Sequence, residues 1–125
     1  MKGQKTPLAV LLAIVLAACV APATAGAAVA YKHYVACGTS ETAKASHKCP
    51  KRGKKGAFFK SLKGNVSYSI CVKFPTGKSI CAKAQNAEAH ILYVNKITSN
   101  IPGKHRVTWF VGGKRVGSFY FTISG

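Results

Sequence analysis

The sequence predicts an all-β protein, a two-sheet sandwich of about seven short strands behind an N-terminal signal segment. From Ala57 onward, apolar and polar residues alternate in short runs, the period of a half-buried strand. Pro/Gly turn signals separate those runs, as in Pro75-Thr76-Gly77, Asn100-Ile101-Pro102-Gly103 and Gly112-Gly113. No stretch sustains helical periodicity.

The leader comes first. Lys2 and Lys5 precede an uncharged stretch from Thr6 to Tyr31, whose core, Leu8 to Val20, is apolar. That core suits a signal peptide and is short for a membrane span, which needs ~20 apolar residues. Small-x-small cleavage signals occur at Ala23-Thr24-Ala25, before Gly26, and at Ala28-Val29-Ala30, before Tyr31. Two alternatives stay open. The leader could remain uncleaved as an anchor, although its Ala/Gly/Thr-rich second half, with Pro22, suits a span poorly. Leu16-Ala17-Ala18-Cys19 also resembles the lipobox of bacterial lipoproteins, which would lipidate Cys19 and hold the chain at the outer face of the cytoplasmic membrane. The expectation is a secreted chain organised as a leader (1–30), a basic disulfide-looped segment (31–56) and a sandwich core (57–125).

From Tyr31 on, 17 Lys and Arg face only Glu41 and Glu88, a net charge of +15 over 95 residues. One small domain of that length buries roughly 60–70% of its unfolded surface and is helped by staples. Export supplies an oxidising compartment, so Cys37, Cys49, Cys71 and Cys81 read as two disulfides. Register argues for one connectivity. Val66, Tyr68, Ile70, Val72 and Phe74 share one strand face, while Ser67, Ser69, Cys71 and Lys73 share the other. A three-residue loop at Pro75-Thr76-Gly77 then pairs Phe74 with Lys78, Val72 with Ile80 and Cys71 with Cys81. Ile80 and Ala82 join the apolar side, and Cys37 is left for Cys49. A metal site drawn from His33, Cys37, His47 and Cys49 matches no common zinc spacing.

Other strands are expected at Ala57–Ser61, His90–Val94, His105–Val111 and Arg115–Ile123, with a short helical turn at Gln85–Ala89. Tyr31–Lys55 has the least ordered composition and is expected to take its shape from the Cys37–Cys49 bridge. The last hairpin carries a conflict of faces. With Gly112-Gly113 as the loop, Trp109 pairs with Val116, yet Phe119, Phe121 and Ile123 have the opposite parity. One extra residue at a bulge at Gly117, where glycine tolerates the kink, would return them to the face of Trp109.

The stretch Pro102-Gly103-x3-Val107-x-Trp109-x-Val111-Gly112-Gly113-Lys114-x-Val116-Gly117 resembles the last two strands of bacterial immunoglobulin-like domains of secreted proteins. Cys71-Val72-x2-Pro75-x-Gly77-x3-Cys81 resembles a central hairpin of small exported proteins. The resemblance spans roughly Ala57 to Ser124 and implies an immunoglobulin-like sandwich. It departs from antibody-type domains in having no expected cysteine pair across the two sheets around a buried tryptophan, and it leaves function open.

Catalysis has few candidates. The chain has no Asp, Glu41 and Glu88 are not brought together by any motif, and all four cysteines outside the leader are assigned to bridges. No phosphate-binding Gly loop is present. The expectation is no catalytic residue, no cofactor and no metal. Charge carries the functional signal: Lys48, Lys51, Arg52, Lys54, Lys55, Lys60 and Lys63 crowd one run. Such a run is either a solvated face or a patch for an anionic partner at the cell envelope, a phosphate-rich polymer or an acidic glycan, without specific nucleic-acid readout. A small cationic effector, an inhibitor or a membrane-active protein, is the alternative, although no amphipathic cationic helix is visible. Phe58 and Phe59 are candidates for stacking on such a partner, although strand alternation puts at least one of them in the core. Oligomeric state is not legible.

Overall fold

The computed structural model describes residues 30–125; the leader expected from the sequence, up to residue 29 and with Cys19, lies outside the described residues. Nine strands follow one another: β1 (Tyr31–Ala36), β2 (Lys48–Cys49), β3 (Lys55–Ser61), β4 (Val66–Lys73), β5 (Ser79–Cys81), β6 (Gln85–Ala87), β7 (Leu92–Ile97), β8 (Gly103–Val111) and β9 (Lys114–Ile123). They form two sheets. The larger runs β2-β9-β8-β4-β5, with β6 also paired to β4; the smaller runs β1-β3-β7. The β2–β9 pairing is parallel and the others are antiparallel. This exchange of strands between facing sheets is the order of an immunoglobulin-like sandwich.

Alternation builds the core. His33 and Val35 of β1, Ala57 and Phe59 of β3, and Ile97 of β7 face Tyr68, Ile70 and Val72 of β4, Val107 and Trp109 of β8, and Phe121 and Ile123 of β9. Phe59 stacks on Tyr68 with ring centroids 4.2 Å apart, and Trp109 is fully buried. Burial of a side chain such as Phe59 or Phe121 contributes about 1.5–3 kcal/mol. The Tyr68 hydroxyl donates to Asn95 Oδ1 at 2.7 Å, and Asn95 Nδ2 donates to Gln85 Oε1 at 3.2 Å, so this phenol is buried with its hydrogen bond made.

The β4–β5 hairpin has the expected register, with Cys71 opposite Cys81, Val72 opposite Ile80, and the Phe74 N–H donating to Lys78 O. Gly77 takes φ 95°, the left-handed residue of the loop. Disulfides join Cys71 to Cys81 and Cys37 to Cys49. The second one follows β1 of the small sheet and ends on β2 of the large sheet, so a cysteine pair does tie the two sheets. It does so beside the β1-to-β2 crossing, with Cys49 in the core.

Several expectations shift. Tyr31–Lys55 is not shaped by its disulfide alone: β1 pairs with β3 along its whole length, and Tyr31, His33 and Val35 lie on the face that carries Phe59. His33, neither clearly polar nor apolar, hid that alternation in the sequence. Gln85–Ala87 is a strand on the Val66–Tyr68 end of β4, with Ala87 buried, and not a helical turn. The strand expected at His90–Val94 begins at Leu92 and runs to Ile97, because His90 takes φ 66° and gives its N–H to Ser61 O. Ile80 does not reach the closed core. The three-stranded sheet ends before it covers β5, leaving Ile80 55% exposed beside a groove of about 200 Å³ lined by Ile70, Val72, Phe74 and Ile97. In the last hairpin the extra residue is Val116: Arg115 pairs with Phe110 and Gly117 with Trp109, so Phe121 and Ile123 turn inward.

Candidate anion-binding surface

The basic run from Lys48 to Lys63 is split by the strand it enters. Lys48 lies exposed on β2, and Lys51, Arg52 and Lys54 are exposed on the loop before β3. Lys60 and Lys63 sit at the other end of β3, ~20 Å along the strand at ~3.3 Å per residue. That separation exceeds the ~8 Å screening length at physiological ionic strength, so the two ends act as separate charges.

Lys55 corrects the expectation of a seven-residue patch, because it is 1% exposed and does not face solvent. Its ammonium donates to Gly53 O at 3.1 Å, to Asn100 Oδ1 at 3.3 Å and to Lys51 O at 3.4 Å. Three donors meet three acceptors, none of them a carboxylate. Burial pushes the Lys55 pKa below its usual value. Lys55 therefore pins the loop that carries Lys51, Arg52 and Lys54 to the chain around Asn100. Phe58 and Phe59 are likewise unavailable for stacking on a ligand: Phe59 is in the core, and Phe58 is covered by Tyr34, with ring centroids 5.0 Å apart.

The pinned loop forms one wall of a cleft of about 300 Å³. Arg52, Gly53, Lys54 and Lys55 line it on one side, and Lys96, Ile97, Thr98 and Asn100 on the other. Lys96 comes from β7, directly across from Gly56 on β3. No local signal announces it, since nothing nearby in the chain places residue 96 beside residue 54; only the β3–β7 register does. Neither carboxylate lines this cleft. Glu41 lines another with Lys60 and His90, and Glu88 a third with Asn65 and Val66. The arrangement can attract and hold an anionic group through Arg52, Lys54 and Lys96.

His33 and His47, weighed above as metal ligands with Cys37 and Cys49, pack on aromatic rings, and the two cysteines are joined in a disulfide. His33 packs against Trp109 with centroids 5.0 Å apart, and His47 stacks on Phe119 at 4.1 Å. Among the described residues, no helix is long and apolar enough to cross a membrane.

No family model and no curated protein matches the chain. Among solved structures, it is similar to the Pseudomonas fluorescens alkylpurine DNA glycosylase AlkC bound to DNA containing an abasic site analogue, with a TM-score of 0.46 and 19% identity over 81% of this chain. The match spans only 32% of the glycosylase. It is also similar to an immunoglobulin-like protein from Pseudomonas aeruginosa, with a TM-score of 0.43 and 11% identity over 77% of this chain and 93% of that one.

Proposed function

We propose that this immunoglobulin-like chain is a non-catalytic module of the cell envelope, secreted or surface-held, that binds an anionic polymer such as a phosphate-rich wall polymer or an acidic glycan. The observation that carries the reading is the cleft in which Arg52, Lys54 and Lys96 converge over the Lys55-pinned loop with no carboxylate in its lining. Two disulfides suit an oxidising compartment outside the cytoplasm. Binding follows charge and is indifferent to polymer sequence, because contacts to phosphate or carboxylate groups carry no sequence information.

The test is titration of a labelled acidic polymer against two variants of equal charge change per residue. Arg52→Gln/Lys54→Gln/Lys96→Gln is expected to lose roughly tenfold or more in affinity, and Lys60→Gln/Lys63→Gln about twofold or less. Losses in proportion to the three and two charges removed would mean diffuse surface charge and would reject the cleft. Dye release from anionic vesicles at the same protein concentrations would replace this reading with a membrane-active one.

A further inference from the structure

A second basic cleft lies on the outer face of the larger sheet, and none of its cations belongs to the Lys48–Lys63 run or to the Arg52–Lys54–Lys96 cleft. Its volume is about 370 Å³, and its lining includes Lys73, Thr76, Lys104, Arg106 and Tyr120. Register puts these residues together. Lys73 of β4 pairs with Arg106 of β8, and Arg106 pairs with Tyr120 of β9, so the three form one row across the sheet. Lys104 lies two residues along β8, on the same face, with its ammonium 4.6 Å from the centroid of the Tyr120 ring. The Phe74–Gly77 loop forms a wall, seated where a Cβ on Gly103 would meet Pro75.

Two features of this cleft are costs to the isolated fold. Lys73 and Arg106 are like charges directly opposite on neighbouring strands, a destabilising arrangement. Arg106 Nε is buried with no hydrogen-bond partner, although a guanidinium left short of acceptors is normally avoided. Neither carboxylate of the domain lines the cleft. An anion seated here would accept from Arg106, neutralise the Lys73–Arg106 repulsion, and have the Lys104 ammonium and the Thr76 and Tyr120 hydroxyls within the same lining. A phosphate suits a planar guanidinium, which can bind it through two parallel N–H bonds.

We infer that the cleft of Lys73, Lys104, Arg106 and Tyr120 is a binding site for a compact, multiply charged phosphate group, separate from the polymer cleft. The test uses the whole disulfide-bonded domain and inorganic pyrophosphate, followed by calorimetry and by the Nε–H signal of Arg106 in nitrogen–proton correlation spectra. Saturable binding with a shift of that signal is expected. Arg106→Gln should weaken binding tenfold or more, and Lys73→Gln and Lys104→Gln severalfold each. Arg52→Gln/Lys54→Gln/Lys96→Gln should leave pyrophosphate affinity within twofold. If Arg106→Gln does not fold, the wild-type signal and the two lysine variants decide. Absence of saturation at millimolar pyrophosphate, an unmoved Arg106 signal, or loss of binding in the Arg52/Lys54/Lys96 variant alone would each overturn the inference. The last result would leave the polymer cleft standing.

Discussion

At Gly117 a side chain of the smaller sheet lies directly on the backbone of the larger one. The His33 ring lies on it, so a Cβ at residue 117 would overlap the imidazole. The same ring packs on Trp109, which pairs with Gly117 across the last hairpin. Gly117→Ala is therefore expected to destabilise the domain by about 1–3 kcal/mol through overpacking, read as a lower denaturant midpoint at unchanged slope. A change below ~0.5 kcal/mol would mean that the His33 ring is free to move aside. Lys55 makes a different kind of prediction. Lys55→Met keeps the buried stem and removes the charge, leaving the carbonyl oxygens of Lys51 and Gly53 and the Asn100 side chain without their donor. The expected cost is roughly 2 kcal/mol, with the loop before β3 becoming open to protease cleavage. Unchanged stability would show that the ammonium does not hold the loop.

At the scale of elements, the β4–β5 hairpin shows what local chemistry can specify. Pro75 and Gly77 set the loop, the loop sets the register, and the register puts Cys71 opposite Cys81. Because β5 is exposed along its length, the cross-link does more for it than packing does. Cys71→Ser/Cys81→Ser is expected to cost roughly 2–3 kcal/mol, measured by chemical denaturation against the parent. A loss near zero would mean that the hairpin holds its register without the bond. The turn between β7 and β8 carries a pH response. His105 is fully buried, stacked on Phe121 and edge-on to Phe74. Gly103 O can only accept, so His105 Nδ1–H donates to it at 3.1 Å, and Nε2 accepts from the Ser99 hydroxyl at 2.7 Å. Burial is the main reason that the His105 pKa falls below its usual value, with the Lys55 ammonium adding to it against the Gly103 bond; burial also lowers that of His33. A folded pKa below the unfolded one means that the unfolded chain takes the proton more readily. This contribution to stability is complete above pH ~6.5 and is lost as pH falls below it. The thermal midpoint should be flat above pH 7 and fall below 6.5, with a shallower fall in His105→Gln. With only Glu41 and Glu88 as carboxylates, the histidines should dominate that limb.

Across the whole molecule, the legible parts were those that short stretches of chain determine. The alternation of Val66 to Phe74, the Pro75-Thr76-Gly77 loop and the parity conflict after Gly112-Gly113 were enough for strands, one hairpin register and a bulge one residue from its position. Pairings between distant strands were not legible. They bring Lys96 beside Lys54 and set Lys73, Arg106 and Tyr120 in one row. A run of charge in sequence also says nothing about direction: β3 carries Lys60 and Lys63 away, while its first residue, Lys55, turns inward. The proposed polymer binding therefore rests on few, converged cations, and salt resolves it most directly. Each phosphate neutralised releases counterions, so log affinity falls linearly with log salt by roughly 0.7–0.9 per contact. The decisive measurement is this slope on a linear polyphosphate, for the parent and for Arg52→Gln/Lys54→Gln/Lys96→Gln. With three contacts the account predicts a slope of about −2 to −3 for the parent and a flattening by about 2 in the variant. The same slope in both proteins would contradict it.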